Sequence, residues 1–281
     1  MAISFCVLGS GSGGNCTLLK LDTDGGHRHV LIDAGLSPRQ TTARLAPLGV
    51  TPDDITDVLL THVDTDHLHR GWIDTDVPPP FTWRAHHRHI RRVIQAGVPV
   101  SRTEPFEALV ELGDNTVVEA IVLPHDHLGS TGFVIDHRDA RLGFATDLGR
   151  ATTSLFDRFT RLDAVAIESN YDPPLQLAAA RPAALKKRIM GGLGHLSNHQ
   201  ALEAILRIDG AGTLGHVVLL HLSRQCNDPR LVKRLYAEQA PHLLGRLTIT
   251  NQYVPTPMLH ISRGSPRPVA IGQQLNFLDG R

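Results

Sequence analysis

The sequence predicts an α/β fold in a single domain spanning residues 1–281, and three observations support this. Short apolar runs alternate along the chain with stretches that have helical spacing. The run Val58-Leu59-Leu60 is continuously apolar, which is typical of a strand buried on both faces of a parallel sheet. No long linker, repeat or low-complexity tract divides the chain, although the Pro- and Gly-rich residues 256–281 are predicted to be a peripheral tail.

Composition narrows the class of protein. Lys plus Arg and Asp plus Glu number 28 each, so any polyanion site must come from a local patch, while 17 histidines favour metal chemistry. Three widely spaced cysteines do not indicate a disulfide framework and favour a reducing cytoplasm. No secretory signal is recognisable, and no apolar run approaches the roughly 20 residues of a membrane helix. We therefore expect a cytoplasmic protein without a membrane partner.

The first part of the chain contains a glycine-rich loop between two predicted strands. The strands cover residues 3–8 and 16–21, and the loop between them lacks the helix that follows a dinucleotide-binding loop, so a simple turn is favoured. The remaining predicted elements in this part are strands at 30–32 and 58–60 and helices at 38–48 and 84–96.

The second part contains five predicted strands and three predicted helices. The strands cover residues 116–123, 132–135, 142–145, 164–167 and 217–220, and the helices cover 182–190, 198–208 and 229–239. Two of the helices have clear start signals. Ser197 with Gln200 forms a capping box, and Asp228 with Pro229 forms an N-cap and N1 pair.

The segment Thr61-His-Val-Asp-Thr-Asp-His67 carries the clearest chemical signal. It places His62, Asp64, Asp66 and His67 directly after the strand at 58–60, where a turn can aim side chains into one pocket. Histidine and carboxylate ligands together suit zinc, iron or manganese. Three later strands also end in such residues, and these are His125, Asp147 and His221. One such residue is commonly a structural histidine or a helix cap, but four occurrences indicate a metal site.

These motifs resemble the metallo-β-lactamase superfamily. Further segments resemble its YycJ/VicX-type (WalJ-like) branch, and these are Gly9-Ser-Gly-Ser-Gly-Gly-Asn15, Leu31-Ile-Asp-Ala-Gly-Leu-Ser37, Glu168-Ser-Asn-Tyr-Asp172, Gly194-His-Leu-Ser-Asn198 and His221-Leu-Ser-Arg-Gln-Cys-Asn227. The resemblance implies a four-layer αββα sandwich, in which two mixed sheets pack together with helices outside. It also implies two divalent metal ions at one edge between the sheets.

Each metal site has a ligand set implied by the resemblance. The first would use His62, position 64 and His125; the second would use Asp66, His67 and His221; and Asp147 would bridge them. Asp33 would hold the ligand loop from outside the metal sphere, or else cap the turn after its strand.

Position 64 departs from the family pattern, because the superfamily usually has histidine where this chain has Asp64. If Asp64 binds, its oxygen shifts the preference from zinc towards manganese or iron. If it faces water, only the second site fills.

Two metal ions can lower the pKa of a bridging water, so a hydroxide is the expected nucleophile, with Asp66 helping to orient it. His195 is the candidate general acid for the leaving oxygen, or alternatively only supports its loop. Ser197 and Asn198 lie at a helix N-terminus that favours a phosphate, and Arg224 adjoins a predicted ligand, so these three are predicted to bind substrate.

The resemblance implies a 5′-to-3′ DNA exonuclease linked to DNA repair. Arg84, Arg88, Arg91 and Arg92 recur at helical spacing and could line a nucleic-acid track, or form a solvated face. Two alternatives are a hydrolase of a small phosphodiester, ester or lactone, with a closed apolar pocket, and a weakly catalytic metal-binding accessory protein of a two-component signalling pathway. The native metal, the direction of digestion and the oligomeric state stay open.

Overall fold

Two β-sheets form the centre of the molecule. The computed structural model describes residues 2–75 and 79–261, and in these residues each sheet has seven strands. The first sheet has the order β14 (Leu259–Ile261), β1 (Ile3–Gly9), β2 (Cys16–Thr23), β3 (Gly26–Ile32), β4 (Ile55–Leu60), β5 (Thr82–His86), β6 (Thr103–Phe106). The second has the order β13 (Leu247–Ile249), β12 (His216–Leu220), β11 (Ala164–Glu168), β10 (Ala140–Ala145), β9 (Ser130–His137), β8 (Thr116–Leu123), β7 (Leu109–Gly113).

Both sheets are mixed in the same way. In the first sheet β14, β1, β2 and β3 pair antiparallel, and β3 to β6 run parallel. In the second sheet β7 to β10 pair antiparallel, and β10 to β13 run parallel. Each sheet therefore has a set of parallel strands whose carboxyl ends share an edge, which is where α/β proteins build sites.

Helices cover the outer faces of both sheets. They are α1 (Pro38–Leu45), α2 (His87–Gln95), α3 (Thr153–Arg158), α4 (Pro173–Ala178), α5 (Ala183–Met190), α6 (Asn198–Ile208) and α7 (Pro229–Gln239). One apolar core joins the facing sheets, with Phe5 from the first and Phe133 from the second. A second core packs α1 and α2 on the first sheet, and a third packs α3, α6 and α7 on the second. This arrangement confirms the predicted αββα sandwich.

Several predicted elements end where local signals placed them. The strand at 116–123 and the helices at 198–208 and 229–239 have the predicted bounds, and Ser197 forms the predicted capping box with Gln200. The glycine-rich loop joins β1 to β2 and is not followed by a helix. None of the helices in the described residues has the length and hydropathy that crossing a membrane requires.

The predicted helix at 84–96 is wrong at its start. Residues 82–86 form β5, a parallel strand between β4 and β6, and the helix begins at His87. Burial alternates along β5, because Trp83 and Ala85 enter the core while Arg84 lies on the other face. Arg84 instead pairs with Asp57 and Glu104, so the predicted four-arginine helical face does not form.

The predicted peripheral tail lies mostly outside the described residues. Its first part is part of the sheet, because Leu259–Ile261 pairs antiparallel with Ile3–Phe5.

Candidate metal centre

Strand ends from both sheets meet at one edge of the sandwich and bring the predicted ligands together. In the first sheet, β4 leads into the loop that carries His62 to His67. In the second sheet, His125, Asp147 and His221 follow β8, β10 and β12. Four overlapping groups have ligand atoms within 4.8 Å of one another, and these are His62–Asp64–His125, Asp66–His67–His221, His62–His67–Asp147 and Asp147–Glu168–His195–His221.

The first two groups have the composition that the family resemblance implies for its two metal sites. Asp147 lies between them, with its Oδ2 3.0 Å from His67 Nε2 and its Oδ1 4.0 Å from His125 Nε2. The ring centroids of His62 and His67 are 4.1 Å apart, so the two sites adjoin. The geometry thus brings all seven predicted ligands to one place, and their ligand roles remain a prediction.

The candidate histidines are oriented by contacts on their Nδ1 atoms. His67 Nδ1 donates to Asp33 at 2.7 Å, and His125 Nδ1 donates to the Gly194 carbonyl at 2.9 Å. His221 Nδ1 lies 3.1 Å from Glu168 Oε1, and His62 Nδ1 lies 3.1 Å from the Thr61 hydroxyl. The Nε2 atom of each of these histidines lies within 4.0 Å of a candidate carboxylate ligand, and His221 Nδ1 is also 3.4 Å from Asp147 Oδ1. Metal-binding imidazoles are commonly oriented by a hydrogen bond at the other ring nitrogen in this way.

Asp33 joins the two loops of the first sheet. Its carboxylate accepts hydrogen bonds from His67 Nδ1 and from both the backbone N–H and the hydroxyl of Thr61. These contacts hold the start of the ligand loop against the end of β3.

The backbone is strained where the second-sheet ligands enter. Asp147 and His221 have φ angles of 51° and 54°, and Asp33 in the first sheet has 60°. Residues other than glycine rarely adopt this left-handed backbone conformation, and such strained conformations are more frequent at functional sites. Each of these positions lies in the turn within two residues of the end of a strand.

The glycine-rich loop supports the ligand loop. Asn15 N–H donates to the Asp66 carbonyl at 2.7 Å, and the Ser10 hydroxyl accepts from the His221 N–H at 2.8 Å. In the loop after β3, Gly35 also lies against the ligand loop, because a Cβ atom at this position would lie 1.7 Å from the Asp66 carbonyl oxygen. The glycine-rich loop is therefore part of the site's scaffold.

The charges of the cluster suit a cation. Burial alone would raise the pKa of Asp66 and of Asp147, but the neighbouring histidines hold both well below the ordinary range. Burial would likewise lower the pKa of His221, yet Asp147, Asp66 and Glu168 raise it to about 10. In the part of the chain that the structure describes, no lysine or arginine forms an ion pair with Asp33, Asp66, Asp147 or Glu168. Divalent ions could replace these histidine protons, so the donor set fits zinc, manganese or iron.

His195 lies beside this cluster and is oriented by Glu168, a residue for which the sequence predicted no role. Its Nδ1 is 2.6 Å from Glu168 Oε1, and Glu168 is fully buried at the end of β11. Burial would lower the pKa of His195, but the Glu168 carboxylate raises it. The signal for Glu168 was present, because it ends an apolar strand as Asp147 and His221 do.

Asp64 has two competing neighbours. Its carboxylate lies 3.7 Å from His62 Nε2 and accepts a hydrogen bond from Arg92 at 3.0 Å. The side chain is 37% exposed, against 3% for Asp147. Asp64 therefore reaches both the predicted first site and solvent.

A cleft of about 520 Å³ opens above the candidate ligands. It is lined by Ser12, Asp64, Asp66, His125, Asp147, Asn170, Arg181, Leu185, Arg188, Ile189, Gly194, His195, His221, Ser223 and Gln225. The three predicted substrate-binding residues lie elsewhere. Ser197 caps α6, Asn198 is buried against Ser169 and Asn227, and the Arg224 guanidinium lies 5.3 Å from the Tyr253 ring centroid.

Comparison with known proteins identifies relatives over most of the chain. A family model described as the beta-lactamase superfamily domain matches residues 28–222. The exodeoxyribonuclease WalJ of Streptococcus pneumoniae is 27% identical over 250 residues, which cover 85% of this chain and 88% of that protein. The exodeoxyribonuclease YycJ of Bacillus anthracis is 27% identical over 241 residues, with 83% and 87% covered.

Solved structures share the fold at lower identity. Zn²⁺-bound PqqB from Methylobacterium extorquens aligns with a TM-score of 0.68 at 18% identity, covering 90% of this chain and 99% of that one. The short form of human tRNase Z aligns with a TM-score of 0.58 at 15% identity, covering 90% and 98%. These similarities show the αββα architecture.

Proposed function

The chain belongs to the beta-lactamase superfamily and is a metal-dependent hydrolase, and from this premise we propose that it is a DNA exonuclease with a two-metal active site. The predicted resemblance to the superfamily is confirmed, and its WalJ-like branch agrees with the named relatives. One structural observation carries the proposal. Ligand-type side chains at strand ends of both sheets converge beneath an open cleft of charged and polar residues.

The protein's own residues would hold two divalent ions and manage the leaving group. We assign His62, Asp64 and His125 to one ion, Asp66, His67 and His221 to the other, and Asp147 to both. When bound, such a pair supplies a nucleophilic hydroxide near neutral pH and offsets the negative charge that develops on phosphorus.

His195 is positioned to protonate the leaving oxygen. Its Nδ1 is held by the Glu168 carboxylate, which raises the pKa of the imidazole and so favours the protonated form that would carry a proton on Nε2 at the cleft. Asp66 is partly exposed at the cleft and can orient the attacking oxygen. The two residues thus supply the predicted catalytic pair.

The cleft favours a polyanion over a small apolar ester or lactone. An apolar substrate requires a closed, mainly apolar pocket, whereas this open cleft is bordered by three aspartates, three histidines, two arginines and two amide side chains. The relatives named as exodeoxyribonucleases favour DNA as the polyanion. Digestion from 5′ ends and a role in DNA repair, in the cytoplasm, belong to this proposal through the family resemblance.

The test uses the metal-loaded protein with duplex DNA labelled at the 5′ or the 3′ end. We expect release of mononucleotides with Mn²⁺ or Zn²⁺, blocked by phosphorothioate linkages at the 5′ ends but not at the 3′ ends. Asp66→Asn should abolish release, whereas the exposed Asp53→Asn should digest DNA at the wild-type rate. Metal-loaded wild type that leaves every form of DNA intact while hydrolysing a small ester would contradict the proposal.

A further inference from the structure

One wall of the cleft is basic, and it includes Arg188 from the basic cluster Lys186-Lys187-Arg188 of the sequence. Leu185, Arg188 and Ile189 line it at helical spacing along α5, and Arg181 lies just before this helix. His195 borders the same cleft, so these arginines stand beside the group proposed to protonate the leaving oxygen.

Arg181 carries a charge that its contacts do not neutralise. Its Nε and Nη2 donate to Gln225 Oε1 at 3.3 and 2.8 Å, and its Nη1 donates to Gln176 Oε1 at 3.4 Å. Both partners are neutral amides, and Gln176 is fully buried. Among the described residues, Arg181 has no carboxylate within ion-pair distance. The two glutamines therefore hold a cation in place without cancelling its charge.

Arg188 is fixed next to the ligand loop of the second sheet. Its Nε donates to Asp126 Oδ1 at 3.0 Å, and a second nitrogen donates to the other carboxylate oxygen. This fork uses two of the five N–H donors of a guanidinium, so others stay available to an anion at the cleft. Asp126 follows the candidate ligand His125 directly, so its hydrogen bonds hold Arg188 close to the candidate metal centre.

A DNA strand in this cleft needs such cations. Its phosphates approach Asp64, Asp66 and Asp147, and metal ions can offset these carboxylates only near the scissile bond. Guanidinium groups bind phosphate oxygens through paired, charge-assisted hydrogen bonds. The described lining contains no Phe, Tyr or Trp on which a base could stack, so recognition through the backbone is favoured and is independent of sequence.

We propose that Arg181 and Arg188 form a subsite that binds the phosphates next to the scissile one, with Gln225 and Gln176 positioning Arg181. This inference rests on the proposed function and specifies which wall of the cleft the DNA strand follows.

The experiment measures binding of the metal-loaded protein to a fluorescein-labelled, phosphorothioate-linked single-stranded oligonucleotide over a range of salt concentrations. Arg181→Ala and Arg188→Ala should each weaken binding roughly tenfold or more. Each should also reduce the slope of log affinity against log salt by about 0.7, the value for one phosphate contact on a single strand. Arg181→Lys keeps the charge but not the paired donors, so its affinity for the oligonucleotide should lie between those of the wild type and Arg181→Ala. It replaces Arg181→Ala in the test if the alanine variant fails to fold.

Lys187→Ala is the matched control, because Lys187 is exposed beside Arg188 on α5 and is not part of the cleft lining. It removes the same charge and should change affinity less than about twofold, since a screened surface charge acts weakly. If Lys187→Ala weakens binding as much as Arg188→Ala, the subsite is overturned while DNA binding stands. If the wild type itself binds no oligonucleotide, the proposed function fails, and the subsite fails with it.

Discussion

Strand β4 has a buried charge cluster at each end, and the two clusters are neutralised differently. Near its start, Asp57 accepts hydrogen bonds from Arg28 at 2.7 Å and from Arg84 at 2.6 Å. Beyond its end, Asp33 and Asp147 contact histidines, hydroxyls and backbone groups. The first cluster pairs a carboxylate with groups that stay charged at any ordinary pH, and the second pairs carboxylates with groups that gain and lose protons.

This difference separates a structural cluster from a binding one. Arginine neutralises Asp57 permanently, so that cluster is complete without a ligand. Histidine offers a lone pair once its proton leaves, so the same carboxylates that attract protons can attract a divalent ion. A buried carboxylate is therefore informative about function only together with the side chains that oppose it.

The largest expected effect is on metal binding. Asp147→Asn should remove metal from both sites, because Asp147 lies between the two ligand groups. The rate of hydrolysis should fall by more than about 10- to 100-fold, which is the loss typical of residues that only hydrogen-bond to a metal ligand. Elemental analysis of the purified protein and initial rates on DNA measure this. Asp57→Asn is the control and should retain the metal, and an Asp147→Asn protein with wild-type metal content would remove the contrast between the clusters.

A second effect should appear in stability and only at the other end of β4. Asp57→Asn leaves Arg28 without its carboxylate partner and Arg84 with only the more exposed Glu104, so partly buried donors lose their acceptor. This should lower the free energy of unfolding by about 1–3 kcal/mol. Urea denaturation of the variant and of exposed Asp53→Asn measures this difference. Equal stability of the two variants would show that the arginines do not depend on Asp57.

The smallest effect is the pH dependence of that stability difference. Burial alone would raise the pKa of Asp57, but hydrogen bonds from Thr56, Arg28 and Arg84 lower it below its ordinary value of 3.8. A carboxyl whose folded pKa is depressed stabilises the protein above its unfolded pKa and loses this contribution as pH falls through the folded pKa. Urea unfolding at a series of pH values measures the difference in the free energy of unfolding between wild type and Asp57→Asn. This difference should be constant from neutral pH to about 5 and should shrink below about 3.8. A gap that grows as pH falls would reverse the assigned sign.

Local signals predicted much of the fold. The helices α6 and α7 begin where Ser197 and Asp228 cap them, because a cap acts on residues within one turn of itself. The helix predicted from Arg84 failed because four arginines at helical spacing outweighed the alternating burial of β5, which depends on its neighbours β4 and β6.

The candidate site was predicted unevenly for the same reason. Residues that end apolar strands, such as His62 and His221, carry their signal in the few residues before them. Arg181 has no such signal, because its importance comes from Gln225, 44 residues away in the sequence, and from the cleft that both line. Glu168 lies in one of the segments that resemble the family, but its contacts with His195 and His221 depend on the tertiary structure.

The sequence by itself predicted the strand-end ligand candidates, the superfamily and the capped helices, since each prediction depends on residues close together in the chain. Only the tertiary structure decided that Asp57 is matched by arginines, that Asp64 is shared with Arg92, and that Arg181 and Arg188 line the cleft. These contacts join residues from different strands and helices, and the order and register of two sheets set which of them meet.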